Sequence, residues 1–74
     1  MTKLQKLLEI EGYTNVTELL AACITDSVNP GICCNPANPS CNYTCEVEPD
    51  QDQGWCEECN AGTVKSALVL AGLI

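Results

Sequence analysis

Seven cysteines and no histidine, in a chain of 74 residues, constrain what this sequence can fold into more than any other feature. Six of the cysteines lie between positions 33 and 59. A domain of this length buries only about 60% of its unfolded surface, so its hydrophobic core alone stabilises it marginally. Domains of this size commonly add disulfides or a bound metal ion. The cysteine content therefore predicts either an oxidised disulfide scaffold or a metal site made of thiolates.

The chain has the length of a single domain, residues 1–74, and its composition changes twice along the sequence. An amphipathic start gives way to a stretch that contains all four prolines and most of the acidic residues. The chain then ends in an apolar run. These changes predict a helical hairpin over 1–25, a cysteine-rich metal-binding centre over 26–62 and a helix over 63–74.

The N-terminal segment has the pattern of two short helices. A capping-box pattern at Thr2 and a stop signal at Gly12 predict a helix over 3–11. A cap at Asn15 predicts a second helix over 16–25. Apolar side chains recur along it at helical spacing, at Val16, Leu19, Leu20, Cys23 and Ile24. Because Cys23 lies on this stripe, we interpret it as a buried, inert thiol.

Turn residues punctuate the middle segment, which favours short strands. Residues 43–47 and 53–56 alternate in a way that predicts a β-hairpin across the intervening EPDQDQ. Thr63 is a fair helix cap, and VKSALVLAGLI after it predicts an almost wholly apolar helix. That helix would have to bury most of its faces against the helical hairpin or against another subunit.

The spacing of the cysteines suggests a metal site. Cys56 and Cys59 form a C-x-x-C unit, in which one turn directs both sulfurs at one ion. A tetrahedral Zn(II) site needs four ligands, usually two from each of two turns, and without histidine all four must be cysteines. The second pair would come from Cys33 or Cys34 with Cys41, or from Cys41 with Cys45. The spacing leaves these pairs open.

A series of sequence segments covers nearly the whole chain: GIC, NP, a following Cys, Tyr and Thr, then EVEPDQ, GWCEEC and TVKSALVLAGLI. In these segments the chain resembles a family of short bacterial and phage zinc-ribbon-like proteins of unassigned function. The resemblance implies that the ligands are Cys33, Cys41, Cys56 and Cys59. The seven residues between the first two are more than the family pattern has, and two cysteines are extra. Cys34 and Cys45 therefore stay as alternate ligands.

Other readings of the cysteines use different chemistry. Iron is the alternative metal, because four thiolates also bind iron in rubredoxins, which transfer electrons. Rubredoxins have glycine after each C-x-x-C, whereas Asn60 follows Cys59 here. In the disulfide alternative the protein is a secreted scaffold; ICCNPA resembles the start of alpha-conotoxins, but the later spacing differs. WCEEC is similar to the thioredoxin redox motif, but this chain is too short for that fold.

The charge of the chain bears on its partners. The net charge is −7, there is no arginine, and six of the ten carboxylates lie within 46–58. Phosphate binding requires lysine and arginine, so nucleic-acid binding is not expected. The final apolar run is too short to cross a membrane. The N-terminus lacks the pattern of a signal peptide, and the cysteine count is odd, which together favour the cytoplasm, or the host cytoplasm for a phage protein.

These observations predict a small α+β domain with a zinc-ribbon-like centre between a helical hairpin and a C-terminal helix. Four thiolates would hold one structural Zn(II), and no nucleophile and base pair indicates an enzyme. The predicted function is interaction with another protein through the acidic ribbon or the apolar C-terminal helix, which could also form a homodimer. The alternatives are an iron electron-transfer protein and a secreted disulfide scaffold.

Overall fold

The computed structural model describes residues 2–74 and shows a small α+β fold. Two helices come first, and a four-stranded antiparallel sheet with the strand order β2-β1-β4-β3 follows. A single helical turn comes after the last strand. The elements are α1 (Lys3–Glu11), α2 (Val16–Thr25), β1 (Asn29–Cys33), β2 (Thr44–Val47), β3 (Gly54–Cys56), β4 (Ala61–Ser66) and α3 (Ala67–Leu70).

The first two helices have the predicted bounds and caps. The Thr2 hydroxyl accepts from the Gln5 amide, while the Gln5 side chain accepts from the Thr2 amide. Gly12 ends α1 with a left-handed φ of 80°, a conformation that favours glycine. Asn15 Oδ1 accepts from the Glu18 amide and begins α2. Both helix predictions are confirmed, because local capping decides where these helices start and stop.

The predicted hairpin between residues 43–47 and 53–56 is wrong. Both stretches form strands, β2 and β3, but these lie at opposite edges of the sheet. β2 pairs with β1, and β3 pairs with β4. The linker between them instead holds the last strand, since Ser66 donates from its amide to Gln51 O and from its hydroxyl to Pro49 O. β1 and β4 lie between β2 and β3, so β2 and β3 do not pair with each other.

The predicted helix over 63–74 is also largely wrong. Residues 61–66 form β4, and only Ala67–Leu70 are helical. β4 lies between β1 and β3, where Thr63 and Val64 suit an extended backbone because both are β-branched. Ser66 then caps the short helix by accepting from the Val69 amide, 3.2 Å away. None of the helices described over residues 2–74 has the length and apolar character to cross a membrane.

Two buried clusters lie against β1. Ile32 belongs to one, formed with helical residues such as Leu7 and Leu19. Cys33 belongs to the other, formed mainly by cysteines and Val64. Adjacent strand residues point to opposite faces, so β1 separates the helical core from the thiol cluster. Ile24 was predicted to join the helical core, but it is 70% exposed.

Candidate metal centre

Four cysteine side chains converge on one point beside the sheet. Cys33 ends β1, and Cys41 lies in the loop that leads to β2. Cys56 ends β3, and Cys59 lies in the turn that leads to β4. Their Sγ atoms all lie within 4.8 Å of one another. The cluster joins the two outer strand pairs of the sheet, and it is compatible with a metal site.

The separations within this four-cysteine cluster suit a tetrahedral ion. The Sγ atoms of Cys33 and Cys59 are 3.8 Å apart, and those of Cys41 and Cys56 are also 3.8 Å apart. A tetrahedron with metal–sulfur bonds of about 2.3 Å has edges of about 3.8 Å. A disulfide bond is about 2.05 Å long. The sulfurs therefore have room for one ion between them.

Polar groups lie against three of the four sulfurs. The Thr63 hydroxyl is 3.1 Å from Cys33 Sγ, and the Asn38 side-chain amide is 3.7 Å from Cys59 Sγ. The Cys59 backbone amide donates to Cys56 Sγ at 3.3 Å. Donors to sulfur stabilise the deprotonated form that binds metal. Such donors favour a thiolate site over four neutral thiols.

The turn from β3 to β4 has the shape that a C-x-x-C ligand pair needs. Asn60, directly after Cys59, has a left-handed φ of 53°, and its amide donates to Cys56 O at 2.8 Å. Asparagine and glycine adopt this conformation most readily. The presence of Asn60 in place of glycine is therefore a weaker argument against a rubredoxin-type turn than the sequence suggested.

The pKa values of Cys33 and Cys41 shift in opposite directions because these two thiols have different hydrogen-bond partners and neighbours. For Cys33, burial raises the pKa, but hydrogen bonds from Thr63 and from the Asn35 amide have the larger, opposite effect and lower the pKa to about 7. For Cys41, the Tyr43 amide lowers the pKa, but burial and the neighbouring thiols together raise it to about 12. Four close thiols thus resist full deprotonation without a cation, and a bound metal ion would provide the missing positive charge.

The remaining three cysteines lie outside the cluster. Cys34 follows Cys33 and donates to Ile32 O, whereas Cys45 packs beside the cluster from β2. Burial raises the pKa of both thiols. Cys23 is buried in the helical core, as predicted, and burial raises its pKa as well. The alternate ligands Cys34 and Cys45 are therefore not part of the group that the structure brings together.

Sequence reasoning missed the residues that support the cluster. Thr63 was read as a helix cap, but as part of β4 it reaches Cys33 instead. Lys3 Nζ donates to Cys41 O and, at 3.2 Å, to Asn42 Oδ1, so α1 holds the loop that carries Cys41. The contact from Lys3 joins positions 38 residues apart, and no local pattern indicates it.

Comparison with known proteins gave no relative for this chain: no family model matches it, and no significant match was found among curated proteins or solved structures. The resemblance to short bacterial and phage proteins therefore stays a prediction. What the protein does has to be inferred from the cluster and from the surface around it.

Proposed function

We propose that this protein is a small acidic interaction module, of phage or bacterial origin, whose ribbon-like centre is held together by one structural Zn(II). The observation that supports this most is the four-cysteine cluster, in which the Sγ atoms all lie within 4.8 Å of one another and two pairs are 3.8 Å apart. The proposed ligands are Cys33, Cys41, Cys56 and Cys59.

The proposed zinc has a structural role. Four protein thiolates fill a tetrahedral coordination shell and leave no position for a water molecule to be activated. The hydrophobic core is split into two small clusters, so the chain has little other stabilisation. Zinc binding to four thiolates contributes on the order of 10 kcal/mol, which is enough to offset a thin core. We therefore propose a non-catalytic protein in a reducing cytoplasm, where the thiols stay free.

The interaction surface that we favour is the acidic ribbon. The alternative surface was an apolar C-terminal helix, but that helix is four residues long, and Ala67 and Leu68 are buried in the core. The helix itself therefore offers little apolar surface to a partner or to a second copy, and the exposed apolar residues Leu73 and Ile74 lie beyond its end. The acidic side chains of 46–58 are mostly exposed, by contrast, and they flank the proposed site.

Cobalt substitution tests the site. Co(II) bound to four thiolates in a tetrahedron gives intense visible and near-ultraviolet absorption, and we expect one equivalent to bind. The Cys56→Ser variant should lose most of this absorption, whereas Cys34→Ser and Cys45→Ser should retain it. If Cys34→Ser or Cys45→Ser lost as much absorption as Cys56→Ser, the proposed ligand set would be wrong.

Iron is the second candidate, because four thiolates also bind iron and the left-handed Asn60 has the backbone conformation of the glycine that follows C-x-x-C in rubredoxins. The same four thiolates would then carry an iron ion that changes between Fe(III) and Fe(II) by one electron. Protein isolated from cells grown with both metals distinguishes the two candidates. A red protein that is bleached reversibly by reductant would favour iron, and a colourless protein that contains zinc would favour the structural role.

A further inference from the structure

The single tryptophan of the chain lies at an open edge of the sheet. Trp55 is in the middle of β3, and its side chain is 57% exposed. Among the strands described, β3 pairs only with β4, so its outer edge is unpaired. Exposed strand edges can pair with a strand from another chain, and tryptophan is enriched where proteins meet. This edge therefore has both a backbone and an aromatic side chain available to a partner.

The residue opposite Trp55 leaves its ring uncovered. Gly62 on β4 is its cross-strand neighbour and has no side chain to lie over the indole. A Cβ atom at position 62 would come within 3.1 Å of Gln53 O, a distance that only a few real contacts reach. The backbone thus favours glycine opposite the tryptophan. The open ring face follows from the geometry of the sheet.

The chain around Trp55 is acidic and has no lysine partner. Asp52, Glu57 and Glu58 are exposed, and each lies within three residues of Trp55, which limits their Cα separations to roughly 11 Å. Across residues 2–74, the one lysine–carboxylate pair within contact distance is Lys6 with Glu9, at 3.8 Å. These three carboxylates therefore remain available to a cation from outside the chain.

We infer that this edge, formed by β3 with Asp52, Glu57 and Glu58, binds an extended, arginine-containing segment of another protein. The segment would add to the open side of β3 through its backbone. One guanidinium would stack on the Trp55 indole, and neighbouring arginines would pair with the carboxylates. The inference rests on the proposed function, because β3 ends at the proposed ligand Cys56. The turn that carries Glu57 and Glu58 then lies between the proposed ligands Cys56 and Cys59.

The charges of the possible partners decide which of them this edge of the sheet attracts. A second copy of this chain carries the same net charge of −7 and contains three lysines and no arginine, so two β3 edges would repel each other. Nucleic acids and anionic membranes would be repelled in the same way. A tetrathiolate Zn(II) site would add two further negative charges beside Glu57 and Glu58. A cationic peptide is the occupant that this surface attracts.

A defined peptide tests the inference on zinc-loaded protein. The probe is the capped peptide RVRVR, and its control carries neutral citrulline in place of every arginine. Because Trp55 is the only tryptophan, its fluorescence reports contact directly. We expect saturable binding of RVRVR that weakens about tenfold when salt rises from about 50 to about 500 mM. The citrulline peptide should bind at least about tenfold more weakly.

Variants measured by calorimetry locate the binding site. Glu57→Gln with Glu58→Gln should weaken binding about fivefold, whereas Glu11→Gln with Glu18→Gln, which has the same net charge, should change it less than about twofold. Trp55→Ala should weaken binding about tenfold, and Ile24→Ala, another exposed apolar residue, should not. If Glu57→Gln with Glu58→Gln releases zinc, the comparison is repeated with Asp52→Asn and its control Glu18→Gln. Asp52 lies outside the C-x-x-C turn, so its replacement should leave the metal in place.

The outcomes separate this inference from the proposed function. Equal weakening by both double variants, or equal binding of the arginine and citrulline peptides, would overturn the assigned surface. The metal content of the same samples is measured alongside by native mass spectrometry. Protein that holds one zinc but does not bind RVRVR would overturn the docking surface and leave the zinc proposal intact. Protein that holds no metal at all would overturn the proposed function first.

Discussion

At the scale of single residues, the cluster depends on side chains that are not ligands. The Thr63 hydroxyl lies 3.1 Å from Cys33 Sγ, and the Asn38 amide lies 3.7 Å from Cys59 Sγ. Hydrogen bonds of this kind stabilise thiolates and orient them toward a metal. They also leave Cys33 as the thiol whose pKa is lowered, to about 7, in a cluster where Cys41 is pushed in the opposite direction.

Thr63→Val removes the hydroxyl and keeps the β-branched shape. We expect zinc affinity to fall about tenfold, because the Cys33 thiolate loses a donor while β4 is preserved. Thr44→Val, a matched change on β2, should leave affinity unchanged. Competition with a coloured chelator measures both values. If the two variants released zinc at the same chelator concentration, the Thr63 hydroxyl would have no role in the site.

Asn60 is held in a left-handed conformation that alanine adopts poorly. At a fixed free zinc concentration, Asn60→Ala should lower the free energy of unfolding by about 1 kcal/mol. Asn60→Gly should be as stable as the natural protein or more stable, because glycine has no Cβ to clash there. Denaturant unfolding of the two variants measures the difference. A stable Asn60→Ala with a destabilised Asn60→Gly would contradict the assigned backbone conformation.

At the scale of helices and strands, the sequence predicts the two capped helices correctly, but it does not predict the strand pairing or the structure of the C-terminal run. The caps at Thr2 and Asn15 act within their own helices, so the sequence predicts both helices with their bounds. The edge positions of β2 and β3 depend on β4 lying between β1 and β3. An apolar run such as VKSALVLAGLI is ambiguous between strand and helix, and only its neighbours decide. Because residues 61–66 were predicted to be helical, the predicted sheet lacks β4 and pairs β2 with β3.

The four cysteines, in contrast, could be named before the fold was known. Cys56 and Cys59 follow from C-x-x-C spacing alone, whereas Cys33 and Cys41 came from a resemblance. The choice between them and Cys34 or Cys45 needs the folded structure, because Cys33 ends β1 and the next side chain along the chain points to the opposite face, while Cys45 lies on β2. Cys33 faces the cluster, and Cys34 packs against the helical core.

Ser66 joins three elements, and its removal should destabilise all of them together. Its hydroxyl donates to Pro49 O at 2.6 Å and accepts from the Val69 amide at 3.2 Å, within a fully buried site. Ser66→Ala should therefore lower the free energy of unfolding by about 2 kcal/mol. Ser27→Ala, at an exposed serine, should change it by less than about 0.5 kcal/mol. Equal effects in thermal unfolding would show that this junction is unimportant.

At the scale of the whole molecule, the cluster links the β1–β2 pair with the β3–β4 pair, which also meet where β1 pairs with β4. Cys33 and Cys41 come from the β1–β2 pair, and Cys56 and Cys59 from the β3–β4 pair. A metal ion bound by all four would act as a cross-link between these pairs. Trp55 precedes Cys56 on β3, and Glu57 and Glu58 lie between Cys56 and Cys59, so this part of the surface is next to the cluster.

Removal of the metal should therefore unfold most of the protein. Treatment with a strong chelator under reducing conditions should abolish the strand signal in circular dichroism, and added zinc should restore it. Lower pH should have the same effect, because protons compete with the metal for the thiolates. Magnesium provides the matched control, since it binds oxygen ligands and should restore nothing. A chain that keeps its full spectrum without metal would show that the core suffices by itself.

Native mass spectrometry can decide whether four thiolates hold one metal ion in this protein. The intact mass of the protein, purified natively without tags and without added reductant, is compared with its mass after denaturation and chelation. We predict a difference equal to one zinc ion, with all seven cysteines reactive toward a thiol reagent after denaturation. A metal-free native mass, lowered by two hydrogen atoms for each disulfide, would show that the cysteines are oxidised and hold no metal.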